Sequence, residues 1–212
     1  MPRAKCILQS EFPYNISARC INREWFHVPM PKVWDIFCEE LKRVGLENRL
    51  VIHSFILMSN HFHLIASTPE ANISQCMHLF MGRTSRRLTR EGNRINETFA
   101  GRHYKCLLTK PNHFLNAYKY NYRNPVTAGI CERVEDYPFS TLRFVMKKAE
   151  PRFSLCEDAT YVEDPLGTLR WLNTTPQPEK LEGVRYALKR PIFRSKKDRS
   201  RGTFLIGDEE RL

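Results

Sequence analysis

No stretch of this chain approaches the roughly 20 consecutive apolar residues of a membrane-spanning helix, and no internal repeat is visible. Met1-Pro-Arg-Ala-Lys-Cys6 is not followed by an apolar run of the kind a signal peptide needs, so none is expected. The seven cysteines are an odd set with no Cys-x-x-Cys pair. That argues against a disulfide framework and a zinc knuckle, and for a reducing cytoplasm, without a membrane partner. Acidic residues are few: 23 Asp and Glu stand against 34 Lys and Arg, a formal charge of +11. Such an excess points to a polyanionic partner, most often nucleic acid, although a generally basic soluble protein carries the same signature. At 212 residues the chain is one domain, or one domain with a substantial tail, and can bury a proper core.

The rest is organised around Phe55-Ile-Leu-Met-Ser-Asn-His61-Phe62-His63-Leu-Ile-Ala66. It reads as buried β-structure, and Leu50 to Ala66 as a whole as one long strand or two short ones. Side chains alternate along a strand, so His61 and His63 share a face, roughly 6–7 Å apart, while Phe62 points into a core. The pair is either half of a metal site or two polar residues on a solvated strand face. His53, outside the pair, is expected to be structural.

A second stretch, Phe114-Leu-Asn-Ala-Tyr118-Lys-Tyr120-Asn-Tyr122-Arg-Asn124-Pro125-Val-Thr-Ala-Gly129, reads as a helix. Thr109 or Asn112 can cap it, Pro111 suits its first turn, and Pro125 should end it near Asn124. Leu115, Tyr118 and Tyr122 form one stripe, expected to be core. His113, Asn116, Tyr120 and Asn124 form another. Tyr120 and Asn124 are neighbours at i, i+4, so an amide oxygen stands one turn from a phenol. Those two would complete a His61/His63/Asn124 metal site with a hydroxyl nucleophile beside it.

Met58-Ser-Asn-His-Phe-His-Leu64, Tyr120-Asn-Tyr-Arg-Asn-Pro-Val-Thr-Ala-Gly129 and Asp136-Tyr-Pro-Phe-Ser-Thr141 together resemble the HUH single-tyrosine transposases of insertion-sequence-200 type. The closest branch is the REP-associated tyrosine transposases. The resemblance covers about residues 11 to 146, with one departure: Phe62 stands where smaller aliphatics are more usual. It implies a ferredoxin-like sandwich with the two histidines on a central strand and the tyrosine helix alongside. It also implies a division into a transposase domain, 11–146, and a partly helical, basic C-terminal extension, 147–212.

Elsewhere, residues 12 to 22 fit a first strand. Pro31 to Val44 fits an amphipathic helix ended by Gly45, with Trp34 and Phe37 as core rather than a stacking platform. A second helix runs from about Ile73 to Arg90, and residues 98 to 108 read as a further strand. The order predicts an α+β fold, a mainly antiparallel central sheet covered by helices. Past residue 150, Glu157 to Asp164 reads as an acidic loop and Leu166 to Leu172 as a short helix with Trp171. The stretch from Thr174 to Glu179 looks like a linker. From Val184 a basic tail begins, with Arg185, Lys189, Arg190, Arg194, Lys196, Lys197, Arg199 and Arg201 interleaved with Tyr186 and Phe193. It is either a nucleic-acid contact or a solvated tail.

Candidate DNA contacts are Arg19 and Arg23 after the first strand, and Arg83 and Arg87 late in the second helix. Arg102 and Lys105 precede the tyrosine helix, Lys119 and Arg123 lie on it, and Arg190, Lys196 and Lys197 lie in the tail. The chemistry implied is metal-dependent cleavage and rejoining of single-stranded, hairpin-forming DNA. Tyr120 would attack to give a 5′-phosphotyrosine and a 3′-hydroxyl. The mixed N/O ligand set alone permits zinc or manganese, and the resemblance favours Mg²⁺ or Mn²⁺. The alternative is a domesticated, non-transposing binder of repeat-element hairpins, nucleoid-associated in either case. A monomer and a homodimer that exchanges its tyrosine helix both fit.

Overall fold

The structure, a computed structural model, describes residues 7–93, 95, 97–198 and 202–212. The first half alternates strands and helices: β1 (Tyr14–Arg19), α1 (Met30–Asn48), β2 (Val51–Leu57), β3 (His61–Ser67), α2 (Ile73–Glu91) and β4 (Tyr104–Leu107). Then come α3 (Pro111–Tyr122), the single turns α4 (Asn124–Thr127) and α5 (Leu142–Val145), and three C-terminal helices. These are α6 (Ala159–Glu163), α7 (Pro165–Asn173) and α8 (Pro178–Ala187).

The strands form one sheet in the order β2-β3-β1-β4, and each pairing between them is antiparallel. This is the expected α+β, ferredoxin-like arrangement, with β3 and β1 in the centre. Alternation along the strands divides the interior in two. Ile16, Phe62 and Leu64 face α1 and α2, where Val33, Phe37, Leu41 and Phe80 close over them. Ile65 and Cys106 face the other way, towards Tyr118 and Tyr122 of α3 and Leu172 and Val184 of the C-terminal helices. Trp34 and Phe37 are core as expected, each stacked on Phe55.

One boundary differs from expectation. Gly45 lies inside α1, which runs on to Asn48 and stops where Arg49 turns left-handed at φ 55°. The roughly 1 kcal/mol that glycine costs in a helix is outweighed by anchors beyond it: Glu47 pairs with Arg83, and the Asn48 carbonyl accepts from Asn72. Leu50–Ala66 is two strands, because Met58-Ser-Asn60 forms a tight turn closed by the Met58 amide donating to the His61 carbonyl at 2.8 Å. Pro125 does end α3, but it then sits in the first turn of α4, so Asn124 keeps its place one turn beyond Tyr120.

The largest difference is C-terminal. Glu157–Asp164 contains α6, and the segment from Val184 onward, read as a tail, is packed. Val184 and Ala187 are fully buried, as are Phe193 and Ile206 nearly so. Asp208 pairs with Lys110 and His113, and Asn116 donates to the Glu210 carbonyl, so residues 208–212 run alongside α3. Arg199 and Arg201 lie outside the described residues. Among the described residues, no helix is long and apolar enough to cross a membrane.

Candidate functional site

The sheet face under α3 supplies the floor of the site. Register places Arg19 opposite His61, while Ser17 pairs with His63 on one side and Tyr104 on the other. Two cross-strand rows result, Arg19–His61 and Tyr104–Ser17–His63. The His61 and His63 ring centroids are 5.1 Å apart. Tyr120 of α3 stands above, its ring 5.9 Å from that of His63 and edge-on to it. These three side chains line one cavity of about 610 Å³. Its cations are Arg19, Arg23, Arg102, Arg185 and Lys189, and among the described residues no carboxylate lines it.

Several bonds hold this constellation. Loop 20–26 is stitched to the hairpin turn: the Cys20 amide donates to the Asn60 carbonyl, and the Phe26 amide to Ser59. On the far side, Asp136–Thr141 closes the edge of β2. Tyr137 Oη donates to the Leu57 carbonyl at 2.6 Å, and Thr141 Oγ1 accepts from the Phe55 amide at 2.9 Å. The same Thr141 hydroxyl meets Tyr122 Oη at 2.9 Å. One threonine thus couples the histidine hairpin to the tyrosine helix.

Both imidazoles are neutral at physiological pH. Burial lowers His61 to about 4, helped by the Arg19 charge, and holds His63 well below the ordinary histidine range, with His61 and Arg19 adding to the effect. His61 Nδ1 lies 2.7 Å from Asn60 Oδ1. That oxygen can only accept, so the proton sits on Nδ1 and the lone pair on Nε2. His63 is 8 % exposed and its Nδ1 is buried with no hydrogen-bond partner. Two neutral imidazoles, one with an orphaned ring nitrogen, are what a borderline divalent metal ion takes as ligands, and the pair fits such an ion. Asn124, half-buried, donates its Nδ2 to the Tyr120 carbonyl at 3.0 Å, which leaves that bond on the nitrogen and not on Oδ1. Asn124 does not line the cavity with the histidines. Among the described residues, no cluster of three His, Cys, Asp or Glu side chains could hold a metal.

Of the predicted DNA contacts, Arg19, Arg23 and Arg102 line the cavity. The others lie apart from it. Arg83 and Arg87 pair with Glu47 and with Glu39 and Glu40 of α1. Lys105 reaches Ser74 at 3.3 Å on the opposite face of the sheet. Lys119 is buried against Trp171, with burial lowering it to about 8, and Arg123 donates to the Leu172 and Asn173 carbonyls. Arg190 stacks on Tyr186, Lys197 lies over Phe204, and Lys196 is 3.8 Å from Glu182. Tyr118 and Tyr122, the other tyrosines of the helix, are buried in the second core. Tyr118 Oη donates to Asp158 at 2.6 Å, and burial raises both phenols well above the ordinary range. His53 is structural, with Nε2 2.7 Å from Ser67 Oγ across the hairpin.

Sequence reasoning left out Asn15, Ser17 and Tyr104 of the floor. The signal was present: polar Asn15, Ser17 and Arg19 alternate with apolar Tyr14, Ile16 and Ala18, the period-2 mark of a strand with one wet face. Arg185 and Lys189, which the sequence marks only as part of a basic tail, also line the cavity.

Residues 14–120, about half of the chain, match the family model described as "Transposase IS200 like". No curated protein sequence matches the chain. Among solved structures, a REP-associated tyrosine transposase bound to a REP hairpin superposes with a TM-score of 0.60 at 17 % identity. The match covers 75 % of this chain and 94 % of that one. A candidate transposase from Deinococcus radiodurans R1 is also similar, at a TM-score of 0.39 and 18 % identity, over 61 % of this chain and 95 % of that one.

Proposed function

The chain belongs to the IS200-like transposase family, and from that premise we propose that it cleaves and rejoins single-stranded DNA at a hairpin, with Tyr120 as the nucleophile. The observation that carries this reading is Tyr120 poised over His63 in a cavity lined, among the described residues, by five cations and no carboxylate. The shared fold with a transposase bound to a REP hairpin supports a hairpin as the partner. Residues 11–146 are the catalytic domain in this reading, and 147–212 an extension that buttresses α3 and lends Arg185 and Lys189 to the cavity.

Tyr120 Oη attacks the scissile phosphorus in line. The Tyr120 O–P bond forms as the P–O3′ bond breaks, the phenolic proton leaves to solvent while the departing 3′-oxygen takes one from it, and a 5′-phosphotyrosine and a 3′-hydroxyl result. Because the ester energy is kept, a second 3′-hydroxyl reverses the step and joins strands without ATP. Arg19, Arg23 and Arg102 neutralise the backbone, and an unpaired strand is flexible enough to bend into the cavity. His61, His63 and Asn124 would hold a divalent ion, Mg²⁺ or Mn²⁺, which supplies Lewis-acid polarisation of the phosphate when bound.

The test is incubation of labelled hairpin oligonucleotides, with single-stranded flanks, with the protein and Mn²⁺, resolved on a denaturing gel. A covalent protein–DNA band that needs metal and vanishes in Tyr120→Phe is expected. DNA retained on a native gel with no covalent band for any oligonucleotide would instead favour a non-transposing hairpin binder. Cleavage that survives Tyr120→Phe would mean that water is the nucleophile.

A further inference from the structure

We propose that Tyr104 is a stacking platform for an unpaired base of the strand held in the cavity, with Arg102 and Lys189 beside it to take the adjoining phosphates. The proposal rests on the single-strand reading above. Ser17 pairs with both His63 and Tyr104, so the phenol ring projects from the same face as the histidines, in the same cross-strand row. Two strand spacings put its Cα about 10 Å from that of His63.

Tyr104 is 67 % exposed on an edge strand and makes no ring contact or side-chain hydrogen bond among the described residues. Strand propensity alone accounts for a tyrosine in β4, but not for the company it keeps. Tyr104, Arg102 and Lys189 form the wall shared by the catalytic cavity and a second cleft of about 680 Å³ against α2. His103 lines that cleft as well, with its Nε2 buried. A bare aromatic face between cations is what single-strand binders use, because every base has a π-face and every nucleotide a phosphate.

The experiment uses the full chain in EDTA, so that no strand is cut, and a hairpin whose single-stranded flank carries 2-aminopurine at each position in turn. Wild type, Tyr104→Phe and Tyr104→Thr, the last a strand former without a ring, are compared. Fluorescence quenching at one or two adjacent positions is expected in wild type and Tyr104→Phe and absent in Tyr104→Thr. Affinity for the flanked hairpin should fall about 5- to 100-fold in Tyr104→Thr, as for loss of one stacked base, with affinity for the blunt hairpin unchanged. Quenching that persists in Tyr104→Thr, or is lost equally in Tyr104→Phe, overturns the stacking role alone. Wild type that binds flanked and blunt hairpins equally overturns the single-strand reading and this proposal together.

Discussion

At the scale of single residues, the three tyrosines of α3 are separated by their surroundings. Tyr118 and Tyr122 are buried and bonded to Asp158 and Thr141, whereas Tyr120 lines the cavity. Tyr118→Phe and Tyr122→Phe should therefore keep the covalent adduct while losing about 1–3 kcal/mol of stability each, the cost of a buried bond left unmade; thermal melts and the same gel measure both. The histidines give a second prediction. His61 and His103 sit at about 4, and burial holds His63 well below the ordinary range, against 6.5 when unfolded. The unfolded chain thus binds protons that the folded chain refuses, so this stability is complete above pH 6.5 and is lost as pH falls towards 4. The melting temperature of the metal-free protein should already decline between pH 6.5 and 5, above the carboxylate range, and a flat profile there would contradict the burial of these rings. The placement of His61, His63 and Tyr120 in one cavity was legible because a two-residue strand period and a four-residue helix period each put polar side chains on one face. Lys119 and Arg123 were not, because charge alone does not say that a side chain is turned inward.

At the scale of elements, the Asp136–Thr141 segment explains a motif that sequence could mark but not interpret. It carries no chemistry of its own in the structure. It seals β2 and ties the histidine hairpin to α3 through Tyr137 and Thr141. Tyr137→Phe, which strands the Leu57 carbonyl, should cost about 1–3 kcal/mol. At 2–4 °C per kcal/mol for a chain of this length, the melting temperature should drop by roughly 2–12 °C, read by calorimetry. A smaller drop would mean that the segment is not a brace. The strands and first two helices were legible from apolar periodicity, and their ends were not. Gly45 reads as a stop until Glu47 and Asn48 are seen anchored to Arg83 of α2 and to Asn72 before it, 36 and 24 residues away in sequence, which no local window weighs.

At the scale of the whole molecule, the basic charge and the C-terminal segment are one question. The five cavity cations come from β1 and its following loop, from the approach to β4, and from α8 and the turn after it. If all five meet phosphates, log K for single strands should fall with log salt at a slope of about −3 to −4, at about 0.7 per phosphate. Removing Arg185 should flatten that slope by about 0.7, an outcome a solvated tail would not give. The same segment supplies Val184, Ala187, Phe193 and Ile206 to the second core. Phe193→Ala should then cost about 3–5 kcal/mol, measured by denaturant unfolding. A basic composition hid these anchors, since apolar residues at irregular spacing show no period until the helix they pack against is in place.

The central claim is that Tyr120 becomes joined to DNA. The most direct measurement is protease and nuclease digestion of the Mn²⁺-dependent adduct, followed by mass spectrometry of the modified peptide. The account expects a nucleotide linked through its 5′-phosphate to Tyr120. A nucleotide on Tyr118, Tyr122 or any other side chain, or DNA cut with no modified peptide at all, would contradict it.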